Sequence, residues 1–446
     1  MSGPTLPPAT PTYILRGHNA AIHALQIFNG NLRLVSGDAD GWIVVWDLIF
    51  KRPVAVWKAH EGAVLEVKGF SLSCGRVSEI YTHGRDHKLR VWRFKVADEE
   101  ILSKTLPVDQ PPNKPDSDSQ IKPWLVHSLY VNALNFCAFS MLVLPPSPSP
   151  SQMTEDSDEA PQDKNDTPPT TSLIAVPNAL DSGAIDLFHL PSERRICTIP
   201  TDSSVKTGMV MAARLIRTSN SKDLRVAAAF EDGHVMVFGC RGVFQDPAKS
   251  LVDSSRNWKW ERLYLSRPHT QPVLSLDLVP SGEYFLTSSA DAVIARHAVP
   301  ESAFDARDTP IKSLNTKHAG QQGLRVRSDG KIFATAGWDS RVRVYSCKSL
   351  KELAVLKWHK EGCYAVAFAD AAGSTDTTTP APTESPDATA QSTANDRDSA
   401  DEQSLTRQNN AYTLAQAHHA RSLKVQTTHW LVAGSKDGKI SLWDIY

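Results

Sequence analysis

Two groups of side chains near the start of the chain have the types that acid–base chemistry uses. His18, Ser36 and Asp40 form one, and His60, Thr82 and Asp86 form the other. A carboxylate orienting an imidazole beside a hydroxyl is what a general base needs to activate a nucleophile. Here each group is joined by a tryptophan six residues beyond the aspartate, Trp46 and Trp92. Indole N–H, hydroxyl, imidazole and carboxylate can then form one chain of donors and acceptors in which every member is satisfied. Such a chain fixes local geometry and leaves no base free for a substrate. Both sets of four are therefore read as structural, and no residue is assigned a catalytic role.

Other reactive spacings are weaker. Gly434–Ile440 looks like a phosphate-binding loop, but it is one residue short between its glycines. Ile440 also stands where a magnesium-ligating Ser or Thr would be needed. The segment falls on a turn, around Asp437 and Gly438. His83 and His87 lie four apart, but around a turn and with no cysteine nearby, so no metal site is expected. The pattern calls for no cofactor, no metal and no small-molecule substrate, and the protein is read as a non-enzyme.

The elements that position these residues repeat. Asp40 precedes Asp86 by 46 residues, and Trp46 precedes Trp92 by the same 46. That is the blade length of a WD40 β-propeller. Further units contain His269, Thr287, Asp291 and His297 (the last in the tryptophan place); His318, Thr335, Asp339 and Tyr345; and His359, Ala433, Asp437 and Trp443. Two degraded units run from His127 through Asp181 to Phe188, and through Asp232 to Phe238. Seven units predict an all-β, seven-bladed propeller over residues 12–446. Trp42–Trp46 alternates as a buried strand does, and Asp40-Gly41 suits a tight hairpin turn. The extended segment Thr12–Leu15 precedes the first unit, so it is expected to pair with the last blade and close the ring.

Composition fits this fold. Of 446 residues, 41% are hydrophobic and 22% charged, enough to build a core. The 23 Gly and 29 Pro suit a turn-rich chain. Six scattered cysteines without a CxxC pair read as reduced thiols of an intracellular protein. The longest apolar run, Ala133–Leu144, is too short to span a bilayer, so no membrane is expected. Residues 1–11 read as a disordered, proline-rich start. Residues 145–172 carry six acids against one lysine, and 370–408 carry eight acids against two arginines. Both are expected to be disordered acidic loops. They hold net charges of −5 and −6 in a chain of net charge −1, which leaves the folded ring at about +10.

What remains is surface recognition. The residue before each turn aspartate points to one face of a propeller. Those residues are Ala39, Arg85, Glu231, Ala290, Trp338 and Lys436. Arg85 and Trp338 have the chemistry of interface anchors, and with Lys436 they are the candidate partner-binding residues. Two alternatives compete with a scaffold. Substrate receptors of cullin ubiquitin ligases often end a repeat in Trp-Asp-X-Arg, but Trp46-Asp47 is followed by Leu48-Ile49, and Trp443-Asp444 by Ile445-Tyr446. A nucleic-acid-associated scaffold would suit the basic ring, yet no aromatic–basic module is present, so direct nucleic-acid binding is not expected.

The two opening units, with Pro11–Leu25, Leu34–Leu48, Trp57–Val67 and Thr82–Phe94, resemble the ASTRA-associated protein 1 family of fungi. That family is itself similar to the guanine-nucleotide-binding β-subunit-like protein 1 of animals. The closing Gly434–Tyr446 fits the same resemblance. It implies a non-enzymatic scaffold subunit of the ASTRA complex, nuclear with a second pool in the cytoplasm. It also implies roles in chromatin remodelling and in maturation of phosphatidylinositol-kinase-related kinases. The implied partners are a kinase-related transcription cofactor, RuvB-like ATPases and the triple-T cochaperone. No binding residue is carried over from the family.

Overall fold

Seven four-stranded antiparallel sheets form the structure. The computed structural model describes residues 9–445, apart from 74, 111–119, 133–136, 146–170, 218–221, 247–249, 254, 303–307 and 372–401. Most of the expected disorder at 1–11, 145–172 and 370–408 lies outside the described residues. From the axis outward, blade 1 contains Ile22–Phe28, Arg33–Asp38, Trp42–Asp47 and Arg52–Lys58. Blade 2 contains Val64–Leu72, Val77–Gly84, Lys88–Lys95 and Trp124–Tyr130. Blade 3 contains Ser140–Val143, Ser172–Pro177, Ile185–Leu190 and Arg194–Ile199. Blade 4 contains Val210–Ile216, Leu224–Phe230, Val235–Cys240 and Trp260–Ser266. Blade 5 contains Val273–Leu278, Tyr284–Ser289, Val293–Ala298 and Lys312–Asn315. Blade 6 contains Gln321–Val326, Ile332–Gly337, Val342–Ser346 and Glu352–Leu356. Blade 7 contains Cys363–Phe368, Trp430–Ser435, Lys439–Asp444 and, from the start of the chain, Tyr13–Arg16.

The period of two explains the stacking. In Trp42–Asp47, Val44 and Trp46 join an apolar cluster with blade 7, while Ile43 and Val45 join one with blade 2. Both faces of the sheet are buried, so the strand reads as a continuous apolar run. The described residues form seven such clusters, one at each interface between neighbouring blades. Tyr13–Arg16 pairs with the third strand of blade 7, with Tyr13 opposite Leu442 and Arg16 opposite Lys439. Leu15 is buried in the cluster between blades 7 and 1.

Several boundaries differ from the repeat spacing. Residues 98–123 do not separate two blades. They join the third and outer strands within blade 2, and Ser103 accepts a 2.8 Å bond from the Val56 N–H at the edge of blade 1. His127 accordingly lies on the outer strand of blade 2, where it meets Glu193 at 2.7 Å, and does not open blade 3. Ser172 is the buried first residue of a strand, not the end of a loop. Helix α1 (Glu402–Thr427) leads from the second insertion back to blade 7. Asn31 ties down both ends of that insertion. Its side-chain amide donates to the carbonyls of Asp370 and Gln426, each at 3.0 Å, and its oxygen accepts from the Asp370 N–H at 2.9 Å. Val425, near the end of α1, enters the cluster between blades 7 and 1.

Closure by Tyr13–Arg16 sets a prediction. Leu15→Ala should lower the free energy of unfolding by about 2–5 kcal/mol, the cost of emptying a packed site. Arg16→Ala, on the exposed side of the same strand, should change it by less than about 0.5 kcal/mol. Urea unfolding of the two variants beside the parent checks both values.

Candidate functional site

The polar chains hold the loops of the candidate face. In blade 2 the set is as spaced. His60 Nδ1 lies 2.8 Å from Asp86 Oδ1, His60 Nε2 lies 2.8 Å from Thr82 Oγ1, and the Trp92 indole donates to Thr82 Oγ1 at 3.0 Å. Arg90 adds a 2.9 Å bond to Asp86 Oδ2. Burial opposes the charge on Asp86, but the bonds from His60 and from the permanent cation Arg90 hold its carboxyl well below the usual range. In blade 1 the spacing misleads. Asp40 is exposed, and Asp38 takes its role, with Oδ2 2.7 Å from His18 Nδ1. His18 Nε2 meets Ser36 Oγ at 2.8 Å, and the Trp46 indole donates to that oxygen at 2.9 Å. Ser36 and Asp38 are two apart on one strand and share a face. Blade 2 has Gly84 at the equivalent place, and a Cβ there would lie 2.3 Å from the His60 ring. Its aspartate must therefore reach in from the turn.

The other blades vary the same theme. In blade 5, His269 meets Asp291 at 3.3 Å and Thr287 at 2.9 Å, and His297 Nε2 meets Thr287 at 3.0 Å from the tryptophan place. In blade 6, His318 is exposed and stands 3.8 Å from Asp339. The buried amide of Gln321 replaces it, accepting from Thr335 Oγ1 at 2.6 Å, while Asp339 pairs with Arg343. His318 stands three residues before its inner strand. His18, His60, His269 and His359 each stand four before theirs, so His318 falls short of the site. In blade 7 the hydroxyl missing at Ala433 comes from Ser441, its direct cross-strand neighbour. Ser441 Oγ lies 2.8 Å from His359 Nε2 and accepts from the Trp443 indole at 2.8 Å. Blade 3 has no such set among the described residues. Asp181 accepts from Thr201, and Asn178 donates to Asp186 at 2.9 Å. Asp232 in blade 4 meets His234 at 2.6 Å.

These chains anchor a ring of hairpins on one face. The N–H groups of Ala39, Arg85, Glu231, Ala290, Trp338 and Lys436 each donate, at 2.9–3.0 Å, to the carbonyl of the residue before the same blade's inner strand. The six positions are therefore equivalent. Beside them, six inner strands share one β-bulge at their start. A bulge redirects a side chain. The residues it sets apart are His23, Leu65, Met211, Leu274, Gln322 and Tyr364, and all six line an axial cavity of 410 Å³. Trp338 lies at its rim, and its indole donates to Gln322 Oε1 at 2.7 Å. A Cβ at Gly320 would sit 2.2 Å from that indole, so glycine is needed there. His23 stacks on Tyr364 with ring centres 5.4 Å apart. Burial, then the charge of Arg85, lowers its pKa against the pull of Asp38. Arg85 and Lys436 are exposed on the same face and do not line the cavity.

The floor of the cavity is charged. Arg325 of blade 6 meets Glu66 of blade 2 at 2.5 Å, and these blades are three steps apart round the ring, so the pair crosses the axis. Burial opposes ionisation of Glu66, but Arg325 and then Lys68 outweigh it and its carboxyl stays below the ordinary range. Burial brings Lys68 down to about 8. Arg214 meets Asp277 at 3.2 Å beside them. No three metal-ligating side chains gather among the described residues. His83 is buried against Phe139, with burial bringing its ring down to about 3, and His87 is exposed at φ +60°. Gly438, in the expected turn, has φ +73°. The bulge residues carry no signal in sequence, because His, Leu, Met, Gln and Tyr share no type.

Over residues 11–443 the chain matches the family profile described as ASTRA-associated protein 1. It is similar to proteins of that name from Aspergillus niger (63% identity, covering 99% of this chain and 98% of the relative) and Aspergillus flavus (59%, covering 100% of each). The protein of that name from Schizosaccharomyces pombe is 32% identical, over 80% of this chain and 93% of its own length.

Two outcomes separate the polar chains from bystanders. Asp38→Ala should cost about 3 kcal/mol or more in stability, because it strips His18 and two backbone N–H groups of their acceptor. Asp40→Ala should cost less than about 0.5 kcal/mol. Denaturant unfolding of the pair decides between the two aspartates. The second outcome concerns pH. Burial brings His359 down to about 4 from 6.5, so below pH 6.5 the unfolded chain binds a proton that the fold refuses. Stability from this residue is complete above pH 6.5 and is lost as pH falls toward 4. His359→Gln, imitating Gln321, should flatten that decline by about 1.4 kcal/mol per pH unit, read from unfolding at several pH values.

Proposed function

The chain belongs to the ASTRA-associated protein 1 family, and on that premise we propose that it is a non-enzymatic scaffold subunit of an ASTRA assembly. The observation that carries this is the extent of the match. Residues 11–443 take in every blade and the closing strand, so the likeness belongs to the whole ring and not to one repeat. A rigid ring offers several faces to several partners at once. The His–Asp pairs that could serve as bases are engaged in holding hairpins in place. We assign it to the nucleus, in chromatin remodelling and in the maturation of phosphatidylinositol-kinase-related kinases. The expected partners are a kinase-related transcription cofactor, RuvB-like ATPases and the triple-T cochaperone.

The face for at least one partner is the one that carries the cavity mouth, with Trp338 of blade 6 as a half-exposed aromatic anchor and Arg85, on the blade 2 hairpin of the same face, as a charged one. Affinity purification of the tagged protein with mass spectrometry tests the reading. The transcription cofactor and the cochaperone should copurify with wild type. A folded Arg85→Glu/Trp338→Ala variant should lose at least one of them by tenfold or more. Recovery of cullin adaptors in their place would replace the proposed assembly. Undiminished recovery in the variant would move the interface off this face.

A further inference from the structure

We propose that the outer strand of blade 2, Trp124–Tyr130, is a docking edge, on which an extended acidic segment of a partner protein adds a fifth strand. This site is on the side of the ring, away from the cavity mouth, and does not depend on which assembly the ring serves.

An outer strand exposes unpaired backbone groups, and proteins normally guard such edges with charge. Six blades here do so: Arg52 and Lys58, Arg194 and Arg195, Glu261 and Arg262, Lys312, Glu352 and Arg16 lie on the outer strands of blades 1, 3, 4, 5, 6 and 7. Trp124–Tyr130 has no Lys, Arg, Asp or Glu. Its backbone bonds to Lys88–Lys95 on one side, and no backbone bond is made on the other side among the described residues. It also bears the most exposed large apolar side chains of any outer strand: Trp124 is 78% exposed, Tyr130 78% and Leu125 42%. Ile121 at 55% and Ile101 at 63% extend the patch. A 640 Å³ groove runs beside it, lined by Phe94, Ile101, Ile121, Trp124 and Leu125. An apolar edge of this kind in water marks a contact surface.

Charge selects the occupant. The neighbouring acids are already engaged: Glu61 with Lys58, Glu79 with Arg93, Asp86 with Arg90, and Glu193 with His127. Asp98 accepts from the Lys95 N–H at 2.7 Å. Three lysines at the site, Lys88, Lys104 and Lys122, have no acid within ion-pair distance among the described residues, against two acids in no ion pair, Asp98 and Glu100. Lys88 lies over the Tyr130 ring at 5.7 Å. The surplus is positive. It fits a segment that pairs through its backbone, places apolar residues against Trp124 and Leu125, and turns carboxylates toward the lysines.

Fluorescence anisotropy with the full chain tests this. Three labelled seven-residue peptides serve as probes: alternating Glu and Val, alternating Lys and Val, and the Glu–Val peptide with a central proline. The Glu–Val peptide should bind at least tenfold tighter than the Lys–Val peptide. The proline peptide should lose binding, because it lacks one N–H for pairing. Lys122→Glu should weaken the Glu–Val peptide tenfold, and Trp124→Ala/Tyr130→Ala should abolish its binding at an unchanged melting temperature. Absence of Glu–Val binding, equal binding of all three peptides, or binding indifferent to these variants overturns the proposal. So does binding seen only after residues 146–170 are removed, which would make the chain's own acidic insertion the occupant. A dimer that forms in the parent and vanishes in the Trp124 and Tyr130 variant would make a second copy the occupant, and overturns it equally.

Discussion

Every sheet of this protein buries both of its faces, and that constraint governs the rest. A blade with two apolar faces cannot stand alone in water, because each face needs a neighbour. Six contacts between seven blades would still leave two faces open. The seventh contact exists because Tyr13–Arg16, from the start of the chain, completes the sheet built at its end. The cluster between blades 7 and 1 then contains Leu15, Trp46, Trp430 and Leu442, drawn from positions separated by most of the chain. The exposed hairpins, the cavity and the outer edges all inherit their positions from this closure.

The period of two and the 46-residue recurrence made the propeller legible, since both record burial and turn geometry that any blade must satisfy. The polar chains were legible only where residue type and place coincide. His60, Thr82, Asp86 and Trp92 meet as spaced. Asp38 displaces Asp40 because it shares a strand face with Ser36, and equal spacing along the chain says nothing about which of two nearby aspartates has that face. Gln321 and Ser441 stand in for His318 and Ala433 by supplying the needed atom from a different position. A hydrogen bond asks for a donor and an acceptor at a distance, not for a residue at an index.

The cavity was hidden for a related reason. Trp338 was visible as an aromatic at a hairpin, but its neighbours in the ring are defined by a bulge, and a bulge fixes direction without fixing residue type. The acidic insertions were visible as composition. Their anchoring was not, because a single asparagine, Asn31, holds Asp370 and Gln426 from a turn more than three hundred residues earlier. The blade 2 edge shows the converse. Its lack of charge is plain in sequence, but only the sheet order reveals that the uncharged strand is the outermost.

The pair between Arg325 and Glu66 has a mechanical meaning. A ring joined only through adjacent members can flatten toward an ellipse with little change at any one joint. A tie between nearly opposite members fixes the diameter along its own line. Pull exerted on blade 2 or blade 6 by something attached outside would then pass straight through the hub to the far side, and need not travel around the rim. The pair thus gives the ring a path for force across its centre as well as around its rim.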